Sequence, residues 1–264
     1  MTQYSRCYQL KDKAKDALRG KYRPAMYLCV LSALISMSAS LFVDDCMQSL
    51  LPAVPGLSDG FTPWKLLPSF LLSSAASFLL NTLLGIFQLG VALFFLNAAC
   101  GQPGSLWDLF YGFRQDNAAK AAAISAVRTL VELAGFLAFR FFLNCYLMTG
   151  SPDWLFASAV ALAAGACIAI PISLSLELSF YLMLDFPDKS ARELMGSSIR
   201  IMYGHKKRFF FIKLSFLPLT LLGVCSFYIG FLWIMPYVQM TYVHFFLDTM
   251  NPQKSTASPQ IGGT

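Results

Sequence analysis

The sequence predicts an all-α fold: a polytopic membrane helical bundle of about six transmembrane helices, with amphipathic helices lying at the interface. Three observations carry that expectation. Hydrophobic residues make up 56% of the 264 and charged residues only 13%, about half the charged share of a soluble domain. Mean hydropathy is +0.57. Uncharged runs are long enough to cross a bilayer. So few polar groups cannot cover a water-facing surface, which excludes a soluble globule, and so apolar a chain is not disordered.

A crossing helix needs about 20 apolar residues for a core about 30 Å thick. Ala25–Val43 fits one crossing. Leu66–Trp107 is uncharged over 42 residues and would span about 63 Å as one helix, so it is either a hairpin or a single long helix with interfacial ends. Charge decides. With the basic N-terminus inside, Asp44–Lys65 is an outer loop carrying Asp44, Asp45 and Asp59 against one lysine. If the long run crosses once, helices at about 121–148 and 154–186 return the chain to the inside at the basic cluster 189–208. Phe209–Leu247 contains one charge, Lys213. It reads as two short crossings around a tight outer turn at Gly223–Gly230, leaving both termini cytoplasmic. The expected organisation is a basic amphipathic segment (1–24), one six-helix transmembrane domain (25–250) and a disordered polar tail (251–264).

The net charge is +6. Of 20 Lys/Arg, seven fall in residues 1–24 and six in 189–208, each cluster beside an apolar run. That distribution orients a membrane protein and attracts anionic headgroups on the cytoplasmic side, so the expected partner is the lipid bilayer, not nucleic acid. Residues 5–19 place Leu10, Ala14 and Leu18 on one face. Residues 190–203 open with the capping box Ser190–Glu193 and place Leu194, Met195, Ile199 and Met202 opposite the basic side chains. Both read as interfacial helices or as cytoplasmic caps on the bundle. Candidate headgroup contacts are Lys11, Lys15, Arg19, Arg192, Arg200, Lys206 and Lys207. The first 24 residues show no cleavable signal peptide.

Gly20, Gly112 and Gly204 each end a short amphipathic segment and precede basic charge and an apolar run. Their spacing is 92 residues twice over. This pattern predicts three parallel blocks, each an amphipathic helix followed by two crossings. The alternative is that glycine ends helices by habit, with basic residues clustering on the inner side in any case.

Ionisable groups inside a bilayer are costly and mark function by default. The stripe Arg128, Glu132 and Arg140 spans 120° of one helix, with Arg128 and Glu132 one turn apart. Glu177 lies at a depth within reach of Arg140, so an Arg140–Glu177 bridge is feasible. Two readings stand: a polar cavity for an anionic or zwitterionic ligand, or a buried pair that fixes helix register. Lys213 reads as a snorkelling inner lysine. Asn81 and Gln88 share a face, Gly85 and Gly90 permit close helix contact, and Pro171, Pro218 and Pro236 should kink or break their helices. His244 reads as a structural or a pH-sensitive histidine.

No HExxH, GxSxG, Walker A or GxGxxG pattern is present. Seven cysteines form no CxxC, and two histidines leave little for a metal centre. No catalytic residue, cofactor or metal site is therefore expected, and the protein reads as a non-enzyme.

The chain resembles the bacterial integral-membrane family called domain of unknown function 975. The resemblance rests on Leu10-Lys-x-x-Ala14-Lys-x-x-Leu18-x-Gly20, and on Leu84-Gly85-x-x-x-x-Gly90 followed by Phe95-Leu96. It continues with Ile170-Pro171, Tyr181, Asp185-x-Pro187-x-x-Ser190-Ala191 and Ser198-x-x-x-Met202-x-Gly204-x-Lys206. Pro236-Tyr237 and Tyr242-x-x-Phe245-Phe246 close it. Ile172 stands where the family has glycine, and Lys207-Arg208 where it has tryptophan. The resemblance implies a multi-pass plasma-membrane protein of a Firmicute-like bacterium, with no catalytic residues to carry over. Two functions are compatible: binding or transport of a small amphiphile, lipid or peptide, or an accessory, interaction or immunity role through a membrane-protein partner or a second copy.

Overall fold

The structure, a computed structural model, describes residues 2–3, 7–50, 66–251 and 253–254. Much of the expected outer loop and nearly all of the tail lie outside these residues. The order is β1 (Thr2–Gln3), α1 (Cys7–Leu18), α2 (Tyr22–Leu50), α3 (Leu67–Ala99), the 3-10 helix η1 (Leu106–Phe113), α4 (Gln115–Thr149), α5 (Pro152–Leu176), α6 (Ser179–Asp185), α7 (Ala191–Met202), α8 (Lys206–Ser215), α9 (Leu217–Cys225), α10 (Phe231–Met250) and β2 (Gln253–Lys254). The fold is an all-α bundle. Its strands are one antiparallel pairing of Thr2 with Lys254 and Gln3 with Gln253, which brings the two chain ends together.

Among the described residues, five stretches are long and apolar enough to cross a membrane: Tyr22–Val43, Leu67–Ala99, Asn117–Thr149, Pro152–Asp185 and Lys206–Cys225. The expected sixth, α10, has 20 residues and so the required length of about 30 Å. It differs in carrying Gln239, Thr241, His244 and Asp248, and much of it is buried against α1, α2, α3 and α9. The turn at its start matches the expected place: α9 ends at Cys225, and Phe227 and Tyr228 take left-handed φ of 53° and 65° before Gly230.

The long apolar run does not stay one helix to Trp107. α3 stops at Ala99, Gly101 turns the chain with φ 80°, and η1 folds back onto α3. Phe87 meets Phe113 and Phe110 at ring separations of 4.8 and 5.8 Å. Gly90 makes this possible, because a Cβ there would run into the backbone carbonyls of Asp108 and Leu109. Gly85 likewise faces Ser125 at the α3–α4 crossing. α3 is the central helix, with half of its most apolar window buried, whereas α2 is peripheral with 6%.

The core lies towards the basic end, where Leu10, Leu28, Phe94, Phe95, Phe209, Phe245 and Phe246 pack together. α1 is docked into it through Leu10, Ala14 and Leu18, as their spacing predicts. α7 docks through Leu194, Ser198 and Met202, while Ile199, expected on the apolar face, is exposed. The capping box forms: Ser190 N–H donates to Glu193 at 3.1 Å and Glu193 N–H to Ser190 Oγ at 3.4 Å.

The element order repeats three times: α1 before α2 and α3, η1 before α4 and α5–α6, α7 before α8–α9 and α10. The first and third blocks match in detail. The buried triads of α1 and α7 have the same spacing, and each ends two residues before a glycine with positive φ, Gly20 at 80° and Gly204 at 90°. The middle block departs, since Gly112 sits inside a 3-10 helix against Ile86.

Candidate functional site

A cavity of about 500 Å³ opens between α2, α3, α4, α6 and α10, a volume in the range of small-molecule sites. Each wall follows from local sequence. Ser32, Ser36 and Ser40, four residues apart, share one face of α2 and line it. The Ser32 and Ser36 hydroxyls donate to the Cys29 and Ser32 carbonyls at 2.9 Å each, which leaves oxygen lone pairs for the cavity. Asn81 and Gln88 line it from α3 and Gln239 from α10.

The charged wall is built where a helix breaks. Pro171 has no N–H to continue the ladder of α5. The helix nevertheless runs on to Leu176, with Ser175 Oγ donating to the Pro171 carbonyl at 2.6 Å. The interruption comes at Glu177–Leu178, later than Pro171 predicts, and α6 resumes at Ser179. The Ser175 carbonyl in the last turn of α5 accepts the Ser198 hydroxyl of α7 at 2.7 Å. Burial of Ser198 in place of Ile199 follows from that need for a donor.

Glu177, presented at the break, takes a 3.0 Å hydrogen bond from Lys213 Nζ and stands 3.7 Å from Arg128 Nη2. The Glu177 and Arg128 side chains are 14% and 18% exposed. Arg128 also lies over the Phe180 ring at 5.4 Å, and Lys213 over Phe209 and Tyr242 at 5.1 and 5.5 Å. Two cations thus share one carboxylate: Arg128 and Glu177 line the cavity beside its hydroxyls, amides and apolar side chains, and Lys213 holds Glu177 from outside that lining.

The Arg140–Glu177 bridge that the sequence makes feasible does not form. α4 runs 35 residues from Gln115, about 52 Å, so helix ends drawn at 121–148 misplace the depth of Arg140. Arg140 lies twelve residues, about 18 Å, beyond the arginine that does reach Glu177. Arg128 turns to Glu177 and not to Glu132. Glu132 and Arg140 are exposed and line a separate groove of about 260 Å³ between α3 and α4. Pro218 does break its helix, standing at the start of α9, while α10 continues through Pro236.

Sequence reasoning missed two members of the charged architecture. Lys213, expected to snorkel, is half of the Glu177 site; its position as the lone charge of a 39-residue apolar stretch was the available signal. Asp248 was not singled out, yet it is 4% exposed and accepts a 2.6 Å bond from Arg208 Nη2. The Nε2 atom of His244 is buried without a hydrogen-bond partner.

The candidate headgroup contacts divide. Lys11 is held by the bundle, donating to the Ser215 carbonyl at 3.3 Å over the Phe216 ring at 4.3 Å. Arg19 pairs with Asp16 on the surface at 3.4 Å. Lys15, Arg192, Arg200 and Lys207 are exposed, and Lys206 is half-buried. Arg200 and Lys189 line an apolar pocket of about 250 Å³ between α6 and α7.

The family model described as protein of unknown function (DUF975) matches residues 1–251. The chain belongs to the DUF975 family. The residues that carried the resemblance sit at structural junctions of this DUF975 protein: Leu10, Ala14 and Leu18 dock α1, Gly85 and Gly90 admit close neighbours, and Ser198 caps the broken helix. No curated protein and no solved structure matches it.

Proposed function

We propose that this DUF975 protein binds a small amphiphile with an acidic or zwitterionic headgroup in the central cavity, and moves it within or across a bacterial plasma membrane without chemical conversion. The observation that supports this is the Arg128–Glu177 pair on the wall of a cavity of about 500 Å³, where Lys213 already holds Glu177 and leaves Arg128 to receive an acidic group. Ionised groups at such depth are expensive in a bilayer and accompany ligand or ion pathways. Both termini lie on the cytoplasmic side in this reading. The basic clusters at 1–24 and 189–208 favour it through the positive-inside rule, and the β1–β2 pairing of the chain ends agrees with it.

The test uses single cysteines at Ser36 and Gln88 in a cysteine-free protein in liposomes, with a membrane-impermeant thiol reagent. Labelling at both positions, slowed by an anionic lysolipid, is the expected result. Absence of labelling at both means a dry interior, and the binding reading then fails.

A second reading, an accessory or immunity protein acting through a membrane partner, has one observation in its favour. Glu132 stands at the middle of α4 and is exposed, as is Arg140. At the bilayer centre each such charge costs about 3 kcal/mol unless covered or hydrated.

A further inference from the structure

The exposed groove and the central cavity come together at the α3–α4 crossing, where they share lining residues. A neck of about 70 Å³ lies between them at the α3–α4 crossing. It shares Asn81, Gln88 and Arg128 with the cavity, and Asn81, Thr129 and Glu132 with the groove. Its floor is the contact of Gly85 with Ser125, whose hydroxyl donates to the Thr82 carbonyl at 2.7 Å. A neck of this volume holds about two waters and excludes any headgroup.

Charge alternates along the route. From the groove inwards the order is Arg140, Glu132, Arg128, Glu177 and Lys213, and the first and third are separated by about 18 Å along α4. Each side of the neck therefore offers at least one cation and one carboxylate. A purely anionic group meets Glu132 in the groove, whereas in the cavity Lys213 holds Glu177 and leaves Arg128 to receive it; a purely cationic group meets Arg140 in the groove and Arg128 in the cavity. A headgroup bearing both charges finds a partner for each on both sides.

We propose that the groove is a second station for the same ligand, that the ligand carries a zwitterionic headgroup, and that the α3–α4 crossing is the closed constriction between the stations. This inference rests on the binding reading of the central cavity. A second copy of the chain does not explain the groove as well: parallel two-fold packing sets Glu132 against Glu132 and Arg140 against Arg140, like charges at equal depth.

The experiment places single cysteines at Ser77, in the groove, and at Gln88, in the cavity, in phosphatidylglycerol vesicles that contain no zwitterionic lipid. An impermeant thiol reagent is supplied on both faces. Lysophosphatidylethanolamine should slow labelling at both positions by about tenfold, equivalent to about 1.4 kcal/mol. Lysophosphatidylglycerol should slow it at Gln88 alone. Arg140→Gln should abolish the protection at Ser77. Glu132→Gln should do the same, which keeps the test decisive should one variant fail to fold. Protection at Gln88 without protection at Ser77 overturns the second station while leaving the binding reading intact. Loss of protection at both positions removes the binding reading as well. Equal protection by the two lysolipids at Ser77, or no labelling there at all, also overturns the proposal.

Discussion

Arg208 donates a 2.6 Å hydrogen bond to Asp248, tying the first turn of α8 to the last turn of α10. Both sit beside the aromatic core, with Arg208 over the Phe245 ring at 5.1 Å. Asp248→Ala removes the carboxylate and leaves a guanidinium at 21% exposure facing that core. The expected loss is about 3 kcal/mol, from breaking a buried pair at one side. An Arg208→Met/Asp248→Leu double variant should lose less than Asp248→Ala alone. Denaturant unfolding in detergent micelles measures both, and equal losses in the two would refute the pair's role.

Glu177 should show the same asymmetry with a directional control. Glu177→Gln leaves Arg128 and Lys213 facing each other and should cost about 3 kcal/mol. In a Lys213→Met background, which removes the second cation beside position 177, exchanging charges as Arg128→Glu/Glu177→Arg should recover much of that loss, whereas Arg140→Glu/Glu177→Arg should recover none. Recovery by the Arg140 exchange would contradict the geometry described above.

Two helical glycines should respond in opposite directions to alanine. At Gly165, a Cβ would meet the Gly135 backbone where α4 and α5 cross. Overpacking there should cost about 1–3 kcal/mol. At Gly196 in α7 a Cβ meets nothing within 4 Å, so Gly196→Ala should stabilise by about 0.5–1 kcal/mol. Unfolding midpoints of the two variants against the parent decide the matter, and a same-sign result rejects it.

The cap of α7 carries a further expectation. Ser190→Ala leaves the Glu193 N–H without its side-chain acceptor and should cost about 1 kcal/mol. The loss should appear as faster amide hydrogen exchange in the first turn of α7 and leave α10 unaffected. Uniform acceleration across both helices would mean that α7 has no separate stability.

Where the fold was legible in sequence, a strong period was the reason. Leu10, Ala14 and Leu18 recur at one spacing in an otherwise polar stretch, so their face was unambiguous. Ser190 and Glu193 announced a helix start through a two-residue reciprocal bond. Depth was harder to read. Arg140 was matched to Glu177 by counting from helix ends, and α4 begins six residues before the expected end. Polar burial was hardest. Ser198 is buried because a carbonyl 23 residues away needs a donor, and Asp248 because Arg208 returns to it from α8. Neither requirement exists until the chain has folded. Ser32, Ser36 and Ser40 were not singled out for a related reason: on an apolar helix, serines facing a cavity and serines facing a neighbour follow the same pattern.

The threefold element order has a consequence for how such a chain arises and varies. A unit whose two long helices each cross the membrane enters and leaves on one side. A copy can thus be gained or lost during evolution without inverting the sidedness of what remains. Copies of such a unit would run the same way, related by rotation about the membrane normal and not by a two-fold axis in its plane.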